Sequence, residues 1–220
     1  MPALRKPCLI LDHDDTVVSS TADIHYPAYL EAMRVLRPGV SMSLREYFIM
    51  NCDPGIFSYY QNVVKLSREE LKTEFGIWRG IVAERVPRAF PGMKRIIETQ
   101  RALGGRLVVV THSEPDHVTR DWEKNGLPLP DLIFGGSVPE EQRKPSPWPV
   151  LEALRQLDMR PEDAVVVDDL LPGLRMAQAA GVDFLAACWS HDIPEIDGVF
   201  RKEGQRCFGD PEQLWQYLFE

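Results

Sequence analysis

The feature that most constrains the fold of this chain is a series of short apolar runs, rich in Val, Ile and Leu, separated by segments with helical spacing. Five runs predict buried strands: CLILDHD (8–14), RLVVVT (106–111), DLIF (131–134), AVVVDD (164–169) and DFLAAC (183–188). Four segments between them predict helices: 92–103, 114–125, 147–157 and 170–180. Strands of this composition suit a parallel sheet that is covered on both faces. The alternation therefore predicts an α/β protein with a doubly wound, mainly parallel sheet.

The alternation is interrupted once, after the first predicted strand. Apolar residues there recur at helical spacing, as at Leu71 and Phe75, and no segment predicts a strand. We predict that residues 17–87 form a small all-helical domain inserted after the first strand. Residues 1–16 and 88–220 then form the α/β core.

Charge and composition exclude several classes of protein. The 220 residues include 25 Lys and Arg against 33 Asp and Glu, so the net charge of −8 argues against nucleic acid as the main partner. The four cysteines form no CxxC pair, which fits a reducing compartment. The first apolar run is too short for a signal peptide, and no apolar stretch is long enough to span a membrane. We expect a cytoplasmic protein, either a monomer or a homodimer.

Polar residues follow four of the predicted strands. In an open parallel sheet, ligands bind beyond the carboxyl ends of the strands, so these residues are candidates for a site. In chain order they are Asp12 and Asp14, Thr111 with His112 and Ser113, Lys144, and Asp168 with Asp169. Taken singly, residues of these types are more often helix caps or solvated surface groups. Their order and common placement together indicate one crevice.

The same four places carry a resemblance to a known family. The motifs are LDHDDTVV, with Asp12, Asp14 and Thr16; LVVVTHS, with Thr111; RKPSPWP, with Lys144; and VVVDDLLPG, with Asp168 and Asp169. Together they resemble the haloacid dehalogenase superfamily of hydrolases, specifically its phosphatase-like members with a helical cap after the first strand. The resemblance covers about residues 8–190.

The residue types fit the phosphoryl transfer that this resemblance implies. Asp12 is the expected nucleophile, because a carboxylate can form an aspartyl-phosphate. Asp14 lies two residues further along a predicted strand and so points to the same side. It can protonate the leaving group and then deprotonate the attacking water. Thr111 would hydrogen-bond a phosphoryl oxygen, and Lys144 would offset the negative charge there.

The acidic residues also predict a metal site. Asp12, Asp14, Asp168 and Asp169 would repel one another strongly in one crevice. A hard divalent cation with oxygen ligands relieves that repulsion, and Mg²⁺ is the natural choice. The resemblance implies that Asp12 and one of the two later carboxylates bind the metal directly, and we favour Asp169 over Asp168. It also implies that Asp14 contributes its backbone carbonyl.

The expected substrate is a small phosphorylated metabolite. Contacts with it are predicted in the core and in the helical domain, at Thr111, His112, Ser113, Lys144 and Asn51. Asn51 begins a segment in which Pro54 and Gly55 interrupt the helical pattern. By the resemblance, this segment corresponds to the loop that family caps place over the active site.

Several functions compete on the same motifs. Asp14 argues against a dehalogenase, because attack on a carbon–halogen bond needs no acid for a leaving alkoxide. A sugar phosphomutase with the same motifs and cap stays an alternative. A non-catalytic phospho-receiver has its acidic pair before the phosphoacceptor, which is not the order in this chain. A silent interaction protein usually lacks a motif residue, whereas all of them are present here. The sequence therefore predicts a Mg²⁺-dependent phosphatase that acts through an aspartyl-phosphate.

Overall fold

The computed structural model describes residues 2–220. The strands in that range are β1 (Cys8–Leu11), β2 (Val18–Ser19), β3 (Arg88–Ala89), β4 (Arg106–Val110), β5 (Leu132–Phe134), β6 (Ala164–Asp168), β7 (Asp183–Ala187) and β8 (Arg206–Phe208). The α-helices there are α1 (Tyr26–Leu36), α2 (Leu44–Cys52), α3 (Ile56–Asn62), α4 (Arg68–Glu84), α5 (Met93–Ala102), α6 (Pro115–Lys124), α7 (Trp148–Leu157), α8 (Leu171–Ala180), α9 (Pro194–Lys202) and α10 (Pro211–Phe219). None of the helices between residues 2 and 220 is both long and apolar enough to cross a membrane.

Six strands form one parallel sheet in the order β5-β4-β1-β6-β7-β8. β1 is central, and Ile10 pairs with Val108 on one side and with Val166 on the other. After β1, the chain adds β4 and β5 on one side of it and then β6, β7 and β8 on the other, so the strand order reverses beside β1. Ligands of open α/β sheets bind at such a reversal, beyond the carboxyl ends of the strands. The predicted α/β class with a mainly parallel sheet is confirmed.

The first strand is shorter than the predicted 8–14 and ends at Leu11. Asp14 instead forms an isolated bridge with Val18, and Asp15 has a φ of 57°. A left-handed residue is incompatible with a continuing strand, so the chain turns away from the sheet directly after β1. The prediction of no strand between residues 17 and 87 is also wrong, because β2 lies in that range and pairs with β3. Two-residue strands are too short to show a pattern in the sequence.

The last strand, β8, has no counterpart among the predicted elements. It contains only three residues at the edge of the sheet, where Arg206 is exposed and Cys207 is partly exposed. Because only Phe208 of its three residues is buried, no continuous apolar run marks it. The helices on either side of it, α9 and α10, also lie in a stretch for which no element is predicted.

One hydrophobic core covers a face of the sheet. Leu9 and Leu107 from adjacent strands pack with Val165 in a cluster that also contains Ile97 of α5 and Trp122 of α6. Trp122 is fully buried. These strands read as nearly continuous apolar runs because both of their faces are covered, as is typical of parallel sheets.

The chain divides into two compact units: one runs to Val18 and resumes at Arg88–Glu220, and the other is Ser19–Pro87. The second unit has its own core around a cluster of tyrosines, Tyr29, Tyr47, Tyr59 and Tyr60. Capping boxes begin its helices α2 and α4, in which a serine and a glutamate three residues later satisfy each other's backbone amides. α2 and α3 are separated at residues 53–55, where Gly55 has a φ of 93°.

We expect the central strand to dominate the stability of the α/β unit. Leu9→Ala should lower the free energy of unfolding by about 2–5 kcal/mol, because it removes a fully buried side chain and leaves a cavity. Leu151→Ala is the matched control, since Leu151 is 45% exposed on α7 and should change stability by no more than about 0.5 kcal/mol. Urea unfolding followed by tryptophan fluorescence measures both. Equal losses would contradict the assignment of the core.

Candidate active site

The candidate site begins where β1 leaves the sheet. The backbone N–H of Asp12 donates to the carbonyl oxygen of Val167 on β6, at 2.9 Å. This bond continues the strand pairing by one residue and fixes Asp12 at the carboxyl edge of the sheet. Its side chain is buried.

A single lysine joins the ends of two strands at this edge. Lys144 Nζ lies 2.7 Å from Asp12 Oδ1 and 2.7 Å from Asp168 Oδ2. The side chains of Lys144, Asp12 and Asp168 are 2%, 5% and 1% exposed, so the contacts exclude water almost completely. Buried charges of this kind are retained only with close partners of the opposite sign.

The loop that carries Lys144 is held by its neighbour. Arg143 donates from Nε to the carbonyl oxygen of Val138 at 2.8 Å and from Nη2 to that of Gly136 at 2.5 Å. Two bonds from one planar guanidinium fix the loop's backbone before it reaches Lys144. Arg143 is part of the RKP motif but was not predicted to have a role.

The site carries more negative than positive charge. Burial, with the charges of Asp168 and Asp14, raises the pKa of Asp12 to about 7, although Lys144 opposes the shift. Burial and the charges of Asp12 and Asp168 raise the pKa of Asp169 well above its usual range. Burial alone would lower the pKa of Lys144, but its contacts with Asp12 and Asp168 raise it overall. One lysine therefore does not neutralise the cluster.

The donor set fits a divalent metal ion. One carboxylate oxygen from each of Asp12, Asp168 and Asp169 lies within 4.8 Å of the others, and all three residues are buried. Both oxygens of Asp168 are engaged, one by Lys144 and one by the backbone N–H of Leu170 at 2.8 Å. Asp169 accepts only a long bond of 3.4 Å, from the Thr16 hydroxyl, among the described residues. Asp169 thus has more free capacity for a metal than Asp168.

The end of β4 brings a second group of predicted residues to the same edge. Thr111 follows β4, and its backbone N–H donates to the carbonyl oxygen of Phe134 at 2.9 Å. Its Oγ1 accepts a hydrogen bond from the Ser113 N–H at 3.1 Å, which leaves the hydroxyl proton available. The Ser113 hydroxyl donates to Asp14 Oδ2 at 2.6 Å. His112, between them, is exposed.

The Ser113 contact corrects the argument made for Asp14 from strand alternation. Because β1 ends at Leu11, Asp14 does not lie on an extended strand, and its direction does not follow from its spacing to Asp12. The hydrogen bond from Ser113 orients its carboxylate instead. Side-chain alternation therefore gave the wrong physical reason for the position of Asp14.

The residue between the two motif carboxylates points toward α6. His13 is buried, and the indole N–H of Trp122 donates to its Nδ1 at 3.3 Å. Since that nitrogen accepts a bond, the other, Nε2, donates to Asp121 Oδ2 at 3.2 Å. Asp121 in turn accepts a bond from Arg120 Nε at 2.8 Å. His13 thus anchors the Asp12–Asp14 segment to the core.

Two glycines position the site and were not predicted to have a role there. A Cβ on Gly173 in α8 would lie 2.2 Å from Asp168 Cγ, so only glycine lets the helix approach this carboxylate. A Cβ on Gly135 would lie 2.3 Å from the carbonyl oxygen of Ser113. The sequence offered one signal for Gly173, because it lies within a predicted helix. Glycine is unfavourable inside a helix, so its presence there indicates close packing.

Trp189 is a further residue beside the site, for which the sequence predicts a place in the core or at the rim rather than a contact with ligand. It follows β7, and its indole N–H donates to the carbonyl oxygen of Thr16 at 3.1 Å. Thr16 contacts Asp169 through its hydroxyl. An aromatic residue after an apolar strand gives no signal in the sequence that separates this role from ordinary packing.

The predicted substrate contact in the helical unit lies on α2. The side-chain amide of Asn51 donates to the carbonyl oxygen of Tyr47 one helical turn earlier, at 3.0 Å. Its role as a substrate contact stays a prediction.

The comparisons with known proteins agree with this geometry. Residues 9–187 match the family described as haloacid dehalogenase-like hydrolase. The chain belongs to this family. The resemblance to its phosphatase-like members, inferred from the four motifs, is confirmed.

Individual relatives place the chain near phosphatases of this family. A phosphoglycolate phosphatase of Aquifex aeolicus is 26% identical over 191 residues, covering 83% of this chain and 85% of that protein. The structure of a CbbY mutant from Rhodobacter sphaeroides in complex with xylulose-(1,5)bisphosphate is 25% identical, covers 83% of this chain and 86% of the other, and has a TM-score of 0.65.

A third similarity concerns the fold alone, and other relatives match over shorter lengths. The structure of a predicted phosphoglycolate phosphatase from Haemophilus somnus is 21% identical, covers 96% of this chain and 97% of that chain, and has a TM-score of 0.74. The chain spans about half the length of several other curated relatives, as with the 50% of a phosphoglycolate phosphatase from Nitrosospira multiformis.

The close approach of α8 to Asp168 gives a prediction with a matched control of opposite sign. Gly173→Ala should destabilise the protein by about 1–3 kcal/mol, because the added carbon overlaps the carboxylate that binds Lys144. Gly198→Ala, also within a helix but with open space around it, should stabilise the protein by about 0.5–1 kcal/mol. Urea unfolding measures both. A stabilising Gly173→Ala would show that Asp168 is not held by this packing.

Proposed function

We propose that this protein is a Mg²⁺-dependent phosphatase that hydrolyses a small phosphorylated metabolite through an aspartyl-phosphate on Asp12. The observation that carries the proposal is the buried contact of Lys144 with both Asp12 and Asp168, beside Asp169 at the carboxyl edge of the sheet. An ion pair at the protein surface would stay in contact with water, whereas these three charged side chains are almost completely buried. The arrangement fits a site in which phosphoryl charge is received and neutralised.

The first half of the proposed reaction transfers the phosphoryl group to the protein. A carboxylate oxygen of Asp12 forms a bond to phosphorus while the bond from phosphorus to the leaving oxygen breaks. Asp14 gives its proton to that oxygen, so the product leaves as an alcohol. Lys144 stabilises the charge on the phosphoryl oxygens, and the free hydroxyl proton of Thr111 donates to one of them.

The second half regenerates the carboxylate. Asp14, now ionised, takes a proton from a water molecule whose oxygen attacks phosphorus. The bond between phosphorus and the Asp12 oxygen breaks, and inorganic phosphate is released. Asp14 ends protonated, as it began, so protons balance over the cycle. The hydrogen bond from Ser113 keeps the Asp14 carboxyl in one orientation through both steps.

The proposed metal ligands are Asp12, Asp169 and the backbone carbonyl of Asp14, and Asp168 mainly binds Lys144. This division follows from the hydrogen bonds, since both oxygens of Asp168 already have donors. When bound, Mg²⁺ supplies a Lewis acid that withdraws charge from the transferring phosphoryl oxygens. The chain itself must keep the carboxylates ionised and fixed, which Lys144 and the Thr16 hydroxyl support.

The relatives support the substrate class. Phosphoglycolate and xylulose-(1,5)bisphosphate, named for relatives, are both small phosphorylated carbon compounds. We extend that class to this chain. We also propose that the helical unit Ser19–Pro87 serves as the cap that selects the organic part of the substrate, with Asn51 as one contact.

The first test concerns the metal. EDTA should abolish hydrolysis of p-nitrophenyl phosphate, and excess Mg²⁺ should restore it. A readout independent of activity is the thermal midpoint of unfolding. Raised carboxyl pKa values mean that the metal-free folded protein holds protons that the unfolded chain releases. Its stability therefore falls as the pH rises from about 4, the ordinary carboxyl value, toward the value of about 7 for Asp12.

Because Mg²⁺ competes with those protons, it should raise the thermal midpoint more at about pH 8 than at about pH 5. Asp169→Asn should lose this stabilisation. Asp116→Asn, an exposed carboxylate on α6, should keep it. Full activity in EDTA, or equal midpoints with and without Mg²⁺ at both pH values, would contradict the metal site.

The second test separates the roles of the first two carboxylates. Asp12→Asn should form no phosphoenzyme, since an amide is not a competent nucleophile. Asp14→Asn should still form it from p-nitrophenyl phosphate, whose leaving group needs little acid, but should hydrolyse an alkyl phosphate about 10²–10⁴-fold more slowly. Rapid-quench trapping with ³²P substrate measures the phosphoenzyme, and release of inorganic phosphate measures turnover.

Asp116→Asn serves again as the control and should match the unmodified protein in both assays. Trapped phosphoenzyme at normal amounts in Asp12→Asn would assign the nucleophile elsewhere. Phosphate that returns to another position of a sugar substrate, without release, would indicate a phosphomutase.

A further inference from the structure

A second cluster of charged groups lies at the opposite edge of the sheet from the candidate active site. A cavity of about 260 Å³ opens where β6, β7 and β8 begin. Its polar lining includes Arg5, Lys6, Asp183, Arg206 and Tyr217. Three of these side chains are cationic and one is anionic, on a chain whose net charge is −8.

The cations in this cavity are not all paired. Lys6 Nζ lies 2.8 Å from Asp183 Oδ2 and donates to the carbonyl oxygen of Glu162 at 2.8 Å, so Lys6 is satisfied. The guanidinium carbons of Arg5 and Arg206 lie over the ring of Tyr217 instead, 4.4 and 4.5 Å from its centroid. Neither arginine has a carboxylate partner among residues 2–220.

Two guanidinium groups that share one ring lie within a Debye length of each other, about 10 Å at 0.1 M salt. Each therefore experiences the repulsion of the other. The contacts with the face of Tyr217 offset part of that repulsion, because the ring face carries partial negative charge. An anion that contacts the two guanidinium groups would offset it more directly.

Backbone hydrogen bonds fix the main chain that carries both arginines before any ligand arrives. The backbone N–H of Ala3 donates to the carbonyl oxygen of Phe219 at 3.0 Å. The backbone N–H of Arg5 donates to the carbonyl oxygen of Leu218 at 3.2 Å. The segment before β1 is thus tied to the end of α10, and Arg206 is fixed on β8. Binding would therefore order few backbone groups, which favours affinity.

We propose that this cavity is a binding site for a small phosphate-type anion, held by Arg5 and Arg206 and separate from the site of hydrolysis. Guanidinium groups match phosphate oxygens with paired N–H donors. A volume of about 260 Å³ lies just below the range of about 300–1,000 Å³ of pockets for drug-sized ligands, which suits a phosphate or a small phosphate ester. β6 connects the two sites, with Val165 lining the cavity and Asp168 at the other end.

The experiment is a titration of the full chain with inorganic phosphate in EDTA, followed by ¹H–¹⁵N correlation spectra with assigned amides. Removing divalent metal disfavours anion binding among the carboxylates around Lys144. Amide signals of Arg5, Gln205 and Arg206 should move and saturate, while a chloride titration at matched ionic strength should not reproduce the change. In the double variant Arg5→Gln/Arg206→Gln, affinity should fall by about tenfold or more.

Arg155→Gln is the matched control, because Arg155 is an exposed arginine that pairs with Glu152 and does not line this cavity. This variant should bind phosphate as the unmodified protein does. Unchanged far-ultraviolet circular dichroism would show that the double variant is folded. Shifts that do not saturate, that appear equally with chloride, or that are confined to residues around Asp169 would overturn the proposal. Unchanged affinity in the double variant would overturn it as well.

Discussion

The ammonium group of Lys144 lies 2.7 Å from two carboxylates, that of Asp12 directly after β1 and that of Asp168 at the end of β6. None of the three side chains has much access to water, so each charge depends on the others. Removing one partner would leave an uncompensated buried charge, which costs about 3–5 kcal/mol. Several other features at this edge of the sheet keep these three groups in contact.

The features that keep them in contact lie in a loop, in a helix and in the segment after β1. Arg143 fixes the loop that carries Lys144. Gly173 lets α8 approach Asp168 without displacing it. His13 ties the segment after β1 to α6 through Trp122. Geometry at the site therefore depends on packing and hydrogen bonds from residues that have no chemical part in the proposed reaction.

The polarity of β6 gives the α/β unit two chemically different edges. At its carboxyl end the chain gathers an excess of carboxylates, which suits a divalent cation and a phosphoryl group held by it. At its amino end it gathers arginines stacked on Tyr217 and short of anionic partners. The acidic chain thus carries a cationic surface away from its acidic site, and the two would attract phosphate by different means.

The sequence by itself determined the class of fold, the family and the order of the motif residues. Apolar runs and helical spacing are local signals, and the strands around Ile10 are fully buried, so their composition is unambiguous. Edge strand β8 was not predicted because only one of its three residues, Phe208, is buried, so no apolar run marks it. Asp12, Lys144 and Asp168 could be predicted because each lies in a sequence motif of the family.

Only the tertiary structure decided which of these groups touch. It assigned Lys144 to Asp168, left Asp169 with a single long hydrogen bond among the described residues, and oriented Asp14 through Ser113 rather than through strand alternation. Each contact joins residues far apart in the chain, and Gly173 matters only because α8 lies against the end of β6. Spacing along a sequence specifies local geometry, whereas distances between separate strand ends depend on how the whole sheet pairs.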